Sequence, residues 1–181
     1  MIVNGITQGE EFVVFDFETT GLSKDSNEII EIGAVKVVNG KRIDIFSTLV
    51  KPRVRISNQI IGLTGITNEM VENSPSIEEV LPKFLKFIGN YDLIAHNAPF
   101  DVRFLKANCD RLDYAEPMNT VYDTLKLSKV YFKGMKERGL SYKLMVLADY
   151  LKIEYTVCHR AVDDALITVS LYERILAEMG K

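Results

Sequence analysis

Cysteine is scarce: only Cys109 and Cys158 occur in the 181 residues, far apart and in no Cys-x-x-Cys pair. That excludes a disulfide framework and a thiolate zinc site, and leaves both as reduced thiols. Long apolar runs are also missing. No stretch approaches the roughly 18 consecutive apolar residues of a membrane span, and the opening MIVNGITQGEEF has neither the basic start nor the apolar run of a secretory signal. These absences predict a soluble cytoplasmic protein with no membrane contact. Nor is there an excess of positive charge, since 22 Lys and Arg stand against 25 Asp and Glu, for a formal net charge of -3. A chain that held a polyanion by overall charge would carry the opposite sign, so any such ligand has to be met by a local field. No repeat, low-complexity tract or Pro/Gly/Ser linker interrupts residues 11–178. With 47% hydrophobic residues, this predicts a tail over residues 1–10 and a single domain over residues 11–181.

The patterning predicts strands first and helices later. Glu11 to Phe17 reads as a strand, and EIIEIGAVKVV, Glu28 to Val38, is a β-branched run suited to a sheet interior. Asn39-Gly40 tolerates the positive φ of a two-residue turn, so Lys41 to Val50 returns antiparallel. Ser76-x-x-Glu79 is a capping box for a helix over Ile77 to Ile88, stopped by Gly89 and kinked by Pro82. Tyr91 to Ala95 is a short strand, Pro99 to Arg111 a helix, and Val121 to Asp123 another strand. Leu144, Leu147, Ala148 and Leu151 mark an amphipathic helix, and a last helix runs from about Arg160 to Ala177. A meander followed by alternation is an α/β domain, a mixed sheet flanked by helices.

Three acidic segments carry the chemistry. Asp16 and Glu18, two apart on the first strand, share one face while Phe15 and Phe17 take the other. An Asp-x-Glu alone is most often a solvated strand face, but beside a Phe and Val run an unneutralised charge is costly. In AHNAPFD, Asp101 begins a helix, with Asn97 four residues earlier and near it if the turn is helical. Such an aspartate favours the helix dipole and by itself needs no function. In HRAVDDA, His159 and Asp164 are five residues apart, about 140° around one helix. His159 therefore belongs on the loop entering the helix and Asp164 one turn inside, with Ala161 leaving room between them. Asp163 points about 100° away from Asp164. Cys158 beside His159 has no third group to orient it as a nucleophile.

Together these segments supply four carboxylates and one imidazole. Oxygen-only ligands select Mg²⁺ or Mn²⁺ over zinc. Two such ions can flank a phosphodiester, one activating water and the other stabilising the leaving 3' oxygen. An imidazole, which changes charge close to neutral pH, suits the removal of the water's proton. The chain has only two histidines, His96 and His159, and both fall inside acidic segments. Four carboxylates around two divalent ions are neutral as a site, so the acidic total does not argue against DNA.

FDFETTGL, AHNAPFD and HRAVDDA, in that order, resemble the three motifs of the DEDDh 3'-to-5' exonucleases, and the likeness runs from about residue 11 to residue 178. The resemblance implies a ribonuclease-H-like mixed sheet with flanking helices and release of nucleoside 5'-monophosphates from a 3' end. It assigns metal ligation to Asp16, Glu18, Asp101 and Asp164 with two ions per site, and the general base to His159. Thr19, Gly21 and Leu22 match the turn that meets the terminal nucleotide, with leucine as a wedge and glycine permitting close backbone approach. His96, Asn97 and Phe100 of the second motif are counted with them as substrate contacts, while Thr20 and Asn97 also hold the turn and helix start. IIGLTGITNEMV, EEVLPKFLKFIGN and the HR of HRAVDDA are similar to one subset, the exonuclease domain embedded in the PolC-type bacterial DNA polymerase III. The partners implied are a single-stranded or frayed 3' end of DNA and a DNA polymerase, in the same chain or as a separate subunit. Two other readings stand beside this one. The motifs are silent on the sugar, which leaves RNA 3'-end trimming open, and a catalytically silent module that only tethers a polymerase is the third.

Lys126, Lys129, Lys133, Lys136, Arg138 and Lys143 face a single acid, Glu137, in one segment interleaved with Tyr131, Phe132 and Tyr142. Either the segment tracks phosphates and stacks a base, or it is a solvated loop with its aromatics turned inward. Lys51, Arg53 and Arg55 form a smaller basic patch.

Overall fold

A computed structural model of the protein describes residues 2–3, 11–156 and 159–179. β2 (Glu11–Thr19), β3 (Ile29–Val38) and β4 (Lys41–Leu49) form the antiparallel meander. Its tight turn has Asn39 at φ 51° and Gly40 at φ 69°. These are the positive angles that the Asn-Gly pair tolerates. β5 (Asp92–Ala95) lies parallel to β2, and β6 (Val121–Asp123) parallel to β5. Of the first ten residues, read from sequence as a tail, Ile2 and Val3 form β1 (Ile2–Val3) parallel to β6, and the others lie outside the described residues. The six-stranded order is β1-β6-β5-β2-β3-β4, the mixed sheet of a ribonuclease-H-like α/β fold.

Side-chain alternation sorts the two faces. Val13, Phe15 and Phe17 with Ile32 and Ala34 pack with α3 (Ile77–Ile88) and α4 (Pro99–Arg111). Phe12 and Val14 with Val35 and Val37 pack with α5 (Thr124–Tyr131), α6 (Leu144–Leu151) and α7 (Ala161–Met179). Register pairs Phe12 with Val37, Val14 with Val35, Asp16 with Gly33 and Glu18 with Glu31. Because alternate residues share a face, the acids continue the row that packs beneath α7, beyond the point where apolar side chains fill it.

α3 has the residues expected of it, with both halves of the capping box in place: Ser76 N donates to Glu79 Oε2 at 2.8 Å. The helix continues through Pro82. Three helices were not foreseen. α1 (Asn58–Thr64), capped by the Ser57 hydroxyl and closed by Gly65 at φ 70°, and α2 (Asn68–Val71) enclose a small cluster of Ile30, Ile56, Ile66 and Val71. α5 occupies the first part of the basic segment. All three are too short for a helical period to stand out from sequence. Cys109 is a buried free thiol, and Cys158 lies outside the described residues. No described helix is long and apolar enough to cross a membrane.

Candidate active site

The site forms where β2 outruns its neighbour. Pairing of β2 with β5 ends at Val14 and Ile94, so the next stretch of β2 has a free edge. After β5 the chain swings into α4 through Asn97 at φ 62°, and the helix starts at Pro99. Asn97 is therefore not on a helical turn with Asp101, contrary to the reading from spacing. Reversing direction within three residues takes a left-handed residue, and Asn adopts that conformation more readily than most. Asp123 fixes the turn: its Oδ1 accepts from Asn97 N at 3.0 Å and from Leu125 N at 3.0 Å, which also caps α5. Asp101, on the first turn of α4 and buried, then reaches the free edge of β2 and accepts from Phe17 N at 3.0 Å.

The third segment arrives on α7, and glycine sets how closely. A Cβ on Gly33 would stand 2.1 Å from the Ala161 carbonyl carbon and 2.2 Å from Val162 N. Without one, the N-terminus of α7 rests directly on β3 opposite Asp16. His159, at φ 60°, lies on the loop before α7, and its N–H donates to Asp164 Oδ1 at 3.2 Å. One oxygen each from Asp16, Glu18 and Asp164 lie within 4.8 Å of one another.

So many carboxylates in one place resist ionisation. Burial and then the charges of Asp101, Glu18, Asp164 and Glu31 raise Asp16 well above the usual carboxylate range. Burial, then Asp164 and Glu31, push Glu18 up to about 8. Asp101 is also pushed up to about 8 by burial, against the pull of the Phe17 amide. Asp164 is raised by burial, with the His159 amide opposing. Clustered, desolvated, oxygen-only donors are what a divalent cation neutralises, so these residues fit a hard metal ion.

Sequence reading missed an ion pair and one further residue that hold this arrangement. Glu31, only 1% exposed, sits across from Glu18 and adds to the repulsion there. Arg160 embraces it, with Nε 3.0 Å from both carboxylate oxygens and Nη2 2.6 Å from Oε1, while Ala161 N donates to Oε2 at 2.9 Å. This pair ties the residue after His159 to the sheet. A Glu and a Gly inside the apolar run EIIEIGAVKVV were the available signal, since a strand-interior glycine marks a close backbone approach. Arg103 is the other; its guanidinium lies 4.8 Å from the Phe100 ring centre and donates to Leu22 O at 3.0 Å. It links α4 to the turn after β2, and no sequence pattern marks it.

The remaining expected contacts lie around this centre. Thr19 is buried and its hydroxyl donates to Gly21 O at 2.7 Å, bracing the turn. Leu22, at 78% exposure, projects from that turn into solvent. Thr20 holds the turn's far end through its amide to Glu28 O at 2.8 Å. Phe100 is half-buried against Phe104. Asn97 and His96 line a cleft of about 620 Å³ with Asp16 and Asp164. Both His96 nitrogens are engaged, Nδ1 2.9 Å from the Thr124 hydroxyl and Nε2 3.0 Å from Tyr142 O. A carbonyl only accepts, so Nε2 carries the proton, and burial lowers the imidazole to about 4. With no nitrogen free for a substrate, His96 braces β5 against the Tyr142 segment.

Comparison with known proteins places the chain. The family model described as Exonuclease matches residues 13–172. The PolC-type DNA polymerase III of Caldanaerobacter subterraneus subsp. tengcongensis is 48% identical over 169 residues, covering 93% of this chain but 12% of that polymerase. The chain thus spans about an eighth of the length of the curated relatives it matches. Among solved structures, Exonuclease X in complex with 5' overhanging duplex DNA is 31% identical with a TM-score of 0.73, covering 94% of this chain and 93% of that one. The nuclease domain of 3'hExo, a DEDDh family member bound to rAMP, shares the fold at 23% identity and a TM-score of 0.79, covering 96% and 95%.

Proposed function

The chain belongs to the exonuclease family, and from that premise we propose that it removes nucleotides from a single-stranded or frayed 3' end of DNA, as the proofreading exonuclease of a DNA polymerase III. The observation that carries this reading is the convergence of Asp16, Glu18 and Asp164, with Asp101 beside them, at an open cleft that Asp16 and Asp164 line. These four side chains would hold two divalent cations, Mg²⁺ or Mn²⁺, which when bound supply the positive charge that acidifies the attacking water and stabilises the leaving 3' oxygen. His159 takes the proton of that water, and the hydrogen bond its backbone N–H donates to Asp164 keeps the base registered to the ligands. The water oxygen joins phosphorus, the bond to the 3' oxygen breaks, that oxygen takes up a proton as the new 3' hydroxyl of the shortened strand, and a nucleoside 5'-monophosphate leaves. Leu22 on its braced turn wedges against the terminal base, and Asn97 and Phe100 border the place where that nucleotide lies. Similarity to PolC-type polymerases supports a polymerase partner, in the same chain or as a separate subunit, and so a place in the cytoplasm.

The test is Mg²⁺- or Mn²⁺-dependent release of mononucleotides from a mispaired DNA primer, compared with a matched RNA oligomer. Asp16→Ala and Asp164→Ala are each expected to abolish release. Activity retained in both variants overturns the site, and faster loss of the RNA makes the protein an RNA-trimming enzyme.

A further inference from the structure

Three lysines line the cleft that Asp16 and Asp164 also line: Lys129 from α5, Lys136 from the 3-10 turn Lys136–Arg138, and Lys143 from the position just before α6. They come from separate pieces of backbone, all are exposed, and none forms a salt bridge with a described residue. The other basic groups are placed differently. Arg138 turns to Tyr150, donating to its hydroxyl at 3.3 Å. In the Lys51, Arg53 and Arg55 patch, Arg53 pairs with Glu78 and its amide is held by Glu28. Three like charges without a salt bridge, lining one cleft with Leu125, Leu140, Leu144 and the carboxylates of Asp16 and Asp164, suit a ligand that carries negative charge along its length.

The aromatics of the same segment narrow what that wall reads. Phe132 and Tyr142 are buried, the Tyr142 hydroxyl donates to Phe132 O at 2.9 Å, and Tyr131 packs against the core. None of them stands free to stack on a base.

We propose that Lys129, Lys136 and Lys143 form a phosphate track that carries the strand leading to the carboxylates, gripping backbone charge without reading base or sugar. The proposal rests on the exonuclease reading above and adds where the strand lies and how it is held. It also explains how a chain with a net charge of -3 handles a polyanion: three exposed lysines line the same cleft as the carboxylates and supply a local positive field.

The experiment uses the full chain with Lys129→Gln, Lys136→Gln and Lys143→Gln combined, all at exposed positions. Three readouts separate the possibilities: KM and kcat on a single-stranded oligodeoxynucleotide; hydrolysis of the p-nitrophenyl ester of thymidine 5'-monophosphate, which has no upstream phosphates; and fluorescence anisotropy of the oligonucleotide with Ca²⁺ across a salt series. The triple variant is expected to raise KM and Kd about tenfold or more and to flatten the log–log salt dependence by about 2, from three phosphate contacts on a single strand. kcat and ester hydrolysis stay unchanged, and an RNA oligomer of the same sequence weakens by the same factor. Unchanged affinity and salt slope overturn the track and make the lysines a solvated face. Lost ester hydrolysis in the variant also overturns it, because the lysines would then act on the reacting centre. Wild-type protein that hydrolyses neither substrate sinks the exonuclease reading, while the anisotropy series still decides the track.

Discussion

The acidic cluster and the lysines of the cleft are built on opposite plans. In the acidic cluster Asp101 is held by a strand amide and Asp164 by the His159 amide, while Glu31 is embraced by Arg160. Asp16 and Glu18 are rows of the same sheet face that, two pairs earlier, is filled by Phe12 and Val14. Lys129, Lys136 and Lys143 stand on the surface and form no salt bridge with a described residue. Geometry in the acidic cluster is thus inherited from the core and opposed by like-charge repulsion, whereas the lysines are free of the core and cost the fold little. Changes in the cluster should move stability and activity together, and changes at the lysines should move binding alone.

The sharpest way to break this comparison is Gly33→Val. Its side chain would collide with backbone rather than a movable side chain, lifting the start of α7 and with it His159 and Asp164. We expect a loss of about 3 kcal/mol from overpacking and at least a roughly hundredfold drop in kcat/KM from misplaced groups. Urea unfolding and primer-degradation kinetics measure both, and lost activity at unchanged stability would sever the site from the core. Glu31→Gln is gentler. It keeps an acceptor for the Ala161 amide but removes the charge that Arg160 grips, costing about 2 kcal/mol and raising the metal concentration needed for half-maximal activity. A normal metal titration in this variant would mean that the pair serves the fold only.

The smallest effect is a pH dependence of the metal-free protein. Glu18 and Asp101 titrate at about 8 when folded, against roughly 4 when unfolded. Between those values the native state binds more protons than the unfolded chain, so rising pH favours unfolding. His96, lowered to about 4, acts oppositely, but only below its ordinary value of 6.5. From pH 6.5 to 8 the carboxylates act without that opposition, and the melting temperature should fall, by roughly 3 °C per kcal/mol lost at this chain length. Saturating Mg²⁺ or Mn²⁺ should flatten the slope. Calorimetry at four pH values with and without metal checks it, and a slope unaffected by metal would remove the carboxylates as its cause.

Local pattern alone specified the meander, the Asn39-Gly40 turn, the capping box of α3 and the order of the three acidic segments, because alternation, turn preference and capping act over a few residues. Period-2 alternation even put Asp16 and Glu18 on one face before any partner strand was known. Long-range packing decided the rest. Asn97 is left-handed because β5 must turn into α4 within three residues, Glu31 matters because Arg160 lies 129 positions away, and Phe132 and Tyr142 turn inward because α6 and α7 cover them. Such facts arise where segments distant in the chain compete for the same space and the same hydrogen bonds, and no short window of sequence contains both competitors.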